Sequence, residues 1–93
     1  MAMDKIAMRL FVQDNCPKCP AAKATANELA QRRGDVELKI LDIGDHENYL
    51  TALMLQISST PAFAVGDTVL FVGDTSTVDA LSRKLDEYAR RGS

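Results

Sequence analysis

Ile6-Ala7-Met8-Arg9-Leu10-Phe11-Val12-Gln13-Asp14-Asn15-Cys16-Pro17-Lys18-Cys19 is the stretch that decides the fold. Its first seven residues are a short apolar run that stops at the polar group Gln13-Asp14-Asn15, the pattern of a buried strand running into a loop. The cysteine pair follows at once. From Pro17 to about Arg33 the residues are strong helix formers, with Cys19, Ala22, Ala26 and Leu29 recurring on one face. Gly34 is placed to end that helix as a left-handed cap.

Beyond Gly34, Val36, Leu38 and Ile40 alternate with Glu37 and Lys39, which reads as a strand with one buried and one wetter face. Asp45 is placed to cap a second helix whose apolar positions Leu50, Leu53, Met54 and Ile57 fit the helical period. Ser58-Ser59-Thr60-Pro61 breaks it. Two β-prone runs follow, Ala62 to Val65 and Thr68 to Val72, joined by Gly66-Asp67, a pair that favours a tight hairpin. A last helix is expected from Ser76, with Asp79 three residues on in a capping-box arrangement and Val78, Leu81, Leu85 and Tyr88 on one face. The order β-α-β-α-β-β-α predicts an α/β fold with a four-stranded mixed sheet and three helices, the first two strands parallel and the hairpin antiparallel. Chemistry in open sheets of this kind sits in the loops at the carboxyl ends of parallel strands, and Cys16 and Cys19 occupy such a loop.

The 93 residues suit one domain, expected over 1–93 with frayed ends at 1–5 and 91–93, because a domain usually takes ~100–200 residues. A hydrophobic share of 46% against 26% charged residues marks a packed unit rather than a disordered one. Eleven basic side chains against thirteen acidic ones give a net charge of −2, so no nucleic-acid partner is expected. No run nears the ~18 apolar residues of a membrane-spanning helix, and none of signal-peptide length follows the first lysine. A cytoplasmic monomer with no membrane partner is therefore expected. A secreted mini-protein of this size usually carries four or more cysteines, so a single close pair reads as redox-active or metal-binding rather than as a staple.

Cys16-Pro17-Lys18-Cys19 puts two thiols at i and i+3 across a first helical turn, with α-carbons inside the roughly 4.4–6.8 Å that a disulfide needs. Pro17 suits the first helical position, which makes Cys16 the N-cap, where the partial positive charge of the helix start favours a thiolate. Pro17 and Pro20 donate nothing, so the Cys19 amide is expected as the main donor to the Cys16 sulfur, with Lys18 adding modest support. On this reading Cys16 is the attacking nucleophile. Cys19 shares the apolar stripe of Ala22 and Ala26, so it is expected to be buried, to keep its proton and to resolve the mixed disulfide.

A strand, then Cys-Pro-x-Cys, a long helix, and Thr60-Pro61 ahead of a β-hairpin resemble the thioredoxin superfamily over nearly the whole chain. The resemblance implies the short form of the thioredoxin-like fold and a cis Pro61 facing the cysteine pair. It also implies that Thr60 and Pro61 form the edge on which an extended substrate segment docks, physically a β-strand addition. The proline directly after the first cysteine and the short length resemble glutaredoxins. Thioredoxins typically carry Trp-Cys-Gly-Pro-Cys, whereas here Asn15 precedes Cys16, Lys18 takes the usual proline position and tryptophan is absent. The buried aspartate that thioredoxins place six residues before the first cysteine is Leu10 here. Glutaredoxins hold glutathione with a Gly-Gly and acidic pair where this chain reads Val72-Gly73-Asp74-Thr75, which leaves Gly73 and Asp74 as substrate contacts. The mixture is similar to the small glutaredoxin-sized thioredoxins of bacteria and archaea. That likeness implies reduction of protein disulfides, with a thioredoxin-type reductase or glutathione as electron donor and no cofactor beyond the Cys16–Cys19 redox disulfide.

Two other functions compete: a glutathione-dependent glutaredoxin, and a soft-metal carrier using the C-x-x-C pair. Such carriers usually show Met-x-Cys-x-x-Cys, but Asp14 stands where the methionine would be. A structural zinc site needs four ligands, which two cysteines and one distant histidine do not supply within one chain, so no metal is expected short of a metal or cluster shared by two chains and an external thiol. Asp14 and Asn15 read as loop-shaping residues, His46 as a surface residue, and Tyr49, Met54 and Tyr88 as core or rim packing.

Overall fold

Why the apolar run after Lys5 becomes a strand buried on both faces is answered by its neighbours in a computed structural model that describes residues 5–74 and 76–91. The elements are β1 (Ile6–Val12), α1 (Cys19–Arg32), β2 (Val36–Asp42), α2 (His46–Met54), β3 (Ala62–Val65), β4 (Thr68–Val72) and α3 (Val78–Arg91). The sheet runs β2-β1-β3-β4, so β1 is internal. It pairs in parallel with β2, Ile6 opposite Val36 through to Val12 opposite Asp42. β1 and β3 pair antiparallel, as do β3 and β4, whose ladder shifts between Phe63 and Ala64. The α/β fold with a four-stranded mixed sheet and three helices is thus as expected. The ends of the chain expected to fray, and Thr75, lie outside the described residues apart from Lys5 and the backbone of residue 91.

Alternation along the strands sorts the core into two. Met8, Leu10 and Val12 join Phe63 and Val65 on one face, under the α1 stripe Cys19, Ala22, Ala26 and Leu29 and under Leu81 and Leu85 of α3. Full burial of each Leu, Val, Met or Phe side chain is worth ~1.5–3 kcal/mol, so this layer carries most of the hydrophobic stabilisation. The opposite face holds a smaller cluster, Phe11, Ala62 and Ala64, covered by α2 through Ala52. Ala52 is the one buried residue of α2, and the helix turns its large apolar side chains outward.

Helix α2 corrects the sequence reading here. Leu50, Leu53 and Met54 fit the helical period but are 44%, 52% and 83% exposed, and Tyr49 is 45% exposed, so neither Met54 nor Tyr49 is core packing. Period two in β2 also fades outward, from buried Val36 to Ile40 at 38% exposure. The caps differ in detail. Asp45 caps α2 as expected, accepting from the Glu47 amide at 3.1 Å. At α3 the cap is Thr77, whose Oγ1 accepts from the Ala80 amide at 3.1 Å, because Ser76 is in the left-handed region at φ 54°. Helix α1 ends not at a left-handed Gly34 but at an extended Arg33. The Arg33 guanidinium holds that exit in place, donating to Asp35 (2.8 and 3.0 Å) and to the Ser82 hydroxyl (3.0 Å), and pairing with Asp86 (3.0 Å). Its hydrogen bond holds the Asp35 carboxyl below the ordinary value. No helix among the described residues is long and apolar enough to cross a membrane.

Candidate functional site

The site starts where β1 runs out. Val12 is buried, Gln13 to Asn15 are exposed, and Asn15 takes a left-handed φ of 63° that turns the chain back toward α1. Asn tolerates this conformation because its short polar side chain fits it. Cys16 and Cys19 close a disulfide with α-carbons 5.3 Å apart, a separation a disulfide accepts without moving the backbone. Cys16 is partly exposed at the edge of the core, and Cys19 is only 3% exposed within it.

Two expectations about this turn change. Helix α1 begins at Cys19 with Pro20 in its first turn, so the N-cap is Lys18 rather than Cys16, and Pro17 lies in the preceding turn instead of the first helical position. Pro20 is tolerated there because the first-turn amides have no intrahelical partner. The Cys19 amide donates to the Cys16 carbonyl oxygen at 3.2 Å, so it closes the backbone turn and is not directed at the sulfur.

A short chain of contacts links this turn to the other end of the fold. Lys18 Nζ donates to the Gly73 carbonyl at 3.4 Å, and the Gly73 amide donates to the Pro61 carbonyl at 2.7 Å. The Thr60–Pro61 peptide is cis and Pro61 is buried. Gly73 has a φ of +73°, and a Cβ there would come within 2.8 Å of Ser59 Oγ, so any other residue would be strained. The structure therefore gathers Cys16, Lys18, Cys19, Pro61 and Gly73, while Pro17 and Asp74 are exposed beside them.

A groove beside Thr60 is announced by no motif in the sequence. It has a volume of about 420 Å³, lined by Gln13, Ile43, Tyr49, Leu53 and Ile57 and ending on Ser58 to Thr60. The Thr60 hydroxyl is buried beneath the surface, with no hydrogen-bond partner among the described residues. One signal was present: in α2 the inward position is Ala52 while larger apolar residues outnumber it, more than a nine-residue helix over one small cluster can bury. Among the described residues no three His, Cys, Asp or Glu side chains gather as a metal-ligand set.

Comparison with known proteins agrees with this geometry. The thioredoxin-domain family profile matches residues 6–86. A thioredoxin of Methanocaldococcus jannaschii is 31% identical over 87 residues, covering 89% of this chain and 100% of that protein. A probable thioredoxin of Archaeoglobus fulgidus is 31% identical over 88 residues, covering 89% and 96%. In fold, the chain is similar to thioredoxin f2 of Chlamydomonas reinhardtii, with a TM-score of 0.71 at 21% identity over 91% of this chain and 80% of that one. With a disulfide closed between the only two cysteines, at the end of the central strand, the chain belongs to the thioredoxin family and is a thiol–disulfide oxidoreductase.

Proposed function

We propose that the protein reduces disulfides in other proteins, with Cys16 as the attacking sulfur and Cys19 as the resolving one. The observation that carries this reading is the asymmetry of the pair: Cys16 is partly exposed, whereas Cys19 is 3% exposed. In the reduced protein the Cys16 thiolate attacks one substrate sulfur, forming a mixed disulfide and expelling the other substrate sulfur, which takes a proton. Cys19 then loses its proton and attacks Cys16 Sγ, closing the intramolecular disulfide and releasing the second substrate thiol. Two electrons and two protons pass to the substrate.

No ionisable side chain other than that of Cys19 is buried among the described residues, and Leu10 lies in the same cluster as Cys19. The Cys19 proton therefore leaves by way of water or the departing thiolate, not through an interior carboxylate. Lys18 stays within the turn and adds positive charge near the Cys16 thiolate. Thr60 and Pro61 supply the edge along which the substrate backbone lies, and Gly73 and Asp74 border it. The Gly73 amide is engaged by the Pro61 carbonyl, which favours recharging by a thioredoxin-type reductase over recharging by glutathione. The protein works as a cytoplasmic monomer without a bound cofactor.

Insulin reduction with a dithiol donor tests this reading. Wild type is expected to be active and Cys16→Ser inactive; an inactive, fully reduced wild type would overturn the function. Rapid recharging by glutathione would overturn the choice of donor, and stoichiometric Cu(I) bound between the two sulfurs would point to a carrier instead.

A further inference from the structure

The groove beside Thr60 continues into a second one of about 320 Å³ through the shared residues Gln13, Ile43 and Tyr49. Its two ends differ in chemistry. At the inner end lie Leu53 and Ile57 with Thr60, the residue immediately before Pro61. At the outer end lie Asp14 and Asp42, among the described residues the only charged ones lining either half. Asp42 uses one carboxylate oxygen on the Gly44 amide at 2.8 Å, and Asp45 and Glu47 add exposed negative charge at the adjoining start of α2. Beside the groove the outward stripe of α2, Leu50, Leu53 and Met54, extends the apolar surface.

We propose that this groove docks a segment of the protein substrate that carries a large apolar side chain beside a lysine or arginine. The proposal rests on the reading of the protein as a reductant of protein disulfides, and it names the substrate class that reading leaves open. The apolar half takes the side chain, and water released from Leu53 and Ile57 drives that step. The acidic end takes the cation, and complementary charge there raises the rate of encounter as well as selecting the partner. A second copy of the chain fits poorly. Across a two-fold axis the same patch supplies both sides, and no lysine or arginine lines it to meet the carboxylates of Asp14 and Asp42.

The test uses three peptides with one internal disulfide and the same leucine beside it, followed by lysine, serine or glutamate, together with a small neutral disulfide. For wild type at low salt, kcat/KM for the lysine peptide is expected to exceed that for the glutamate peptide by about tenfold. The Asp14→Asn, Asp42→Asn double variant should bring that ratio close to one, and added salt should do the same. Leu53→Ser should lower kcat/KM for the leucine peptides relative to the small disulfide. Equal kcat/KM for all three peptides would overturn the proposal, as would discrimination that survives the double variant. A concentration-dependent dimer dissolved by Leu53→Ser would overturn it in favour of a second copy. Wild type inert toward peptides and small disulfide alike would instead defeat the reductase reading itself.

Discussion

The two faces of the sheet are built from the same strands but finished differently. Under α1 and α3, Met8, Leu10, Phe63, Leu29, Leu81 and Leu85 are each at most 1% exposed. Under α2 the buried set is one phenylalanine and three alanines, and the helix turns Leu50, Leu53 and Met54 to solvent. The first face holds Cys19 in its core and so anchors the redox pair. The second borders Thr60 and leaves apolar surface open beside it. The contrast teaches that a sheet this small can commit one face to stability while the other stays available for contact.

Substitutions that delete volume should break this contrast most clearly. Leu29→Ala or Leu85→Ala leaves a cavity in the thick layer and should lower stability by about 2–5 kcal/mol, read as a fall in the urea midpoint. An intermediate effect is expected at the junction of the two faces. Gly73→Ala forces a side chain onto a left-handed backbone and against Ser59 Oγ, and should cost about 1–3 kcal/mol. Adding Ser59→Ala should recover part of that loss, because it removes the atom in the way.

The Arg33 cluster gives a smaller, pH-dependent effect on the thick side. Asp35 has a folded pKa below its ordinary value of 3.8, chiefly through the Arg33 hydrogen bond. Its contribution is therefore fully present above that ordinary value and is lost as the pH falls through the lowered one. Arg33→Met should flatten this part of the acid limb of stability against pH. The effect is modest because the Asp35 side chain is 49% exposed and solvent screens the pair. Smallest of all, Met54→Gln on the open face should change stability by less than about 0.5 kcal/mol in the same urea titration.

Much of this was legible because the informative residues are local in sequence. The apolar run 6–12, the stripe Cys19, Ala22, Ala26 and Leu29, and the Gly66-Asp67 hairpin each carry their own period or turn chemistry, and the structure places all three as read. The cysteine pair was legible for the same reason. What escaped depends on distant partners. Arg33 ends α1 because Asp35, Ser82 and Asp86 hold it, two of them far along the chain. Which side of α2 is inside is set by Ala62 and Ala64 across the sheet, and period alone pointed to the larger residues. The tie from Lys18 through Gly73 to Pro61 runs through backbone groups that no side-chain pattern announces.

The claim that the exposed sulfur attacks and the buried one resolves is tested most directly by trapping the mixed disulfide. Cys19→Ser and Cys16→Ser proteins, each reduced, are mixed with an oxidised peptide, and the adducts are located by mass spectrometry after proteolysis. The account predicts a stable peptide adduct on Cys16 in the Cys19→Ser protein and little or none on Cys19 in the Cys16→Ser protein. Adduct formation at Cys19 as fast as at Cys16 would contradict it.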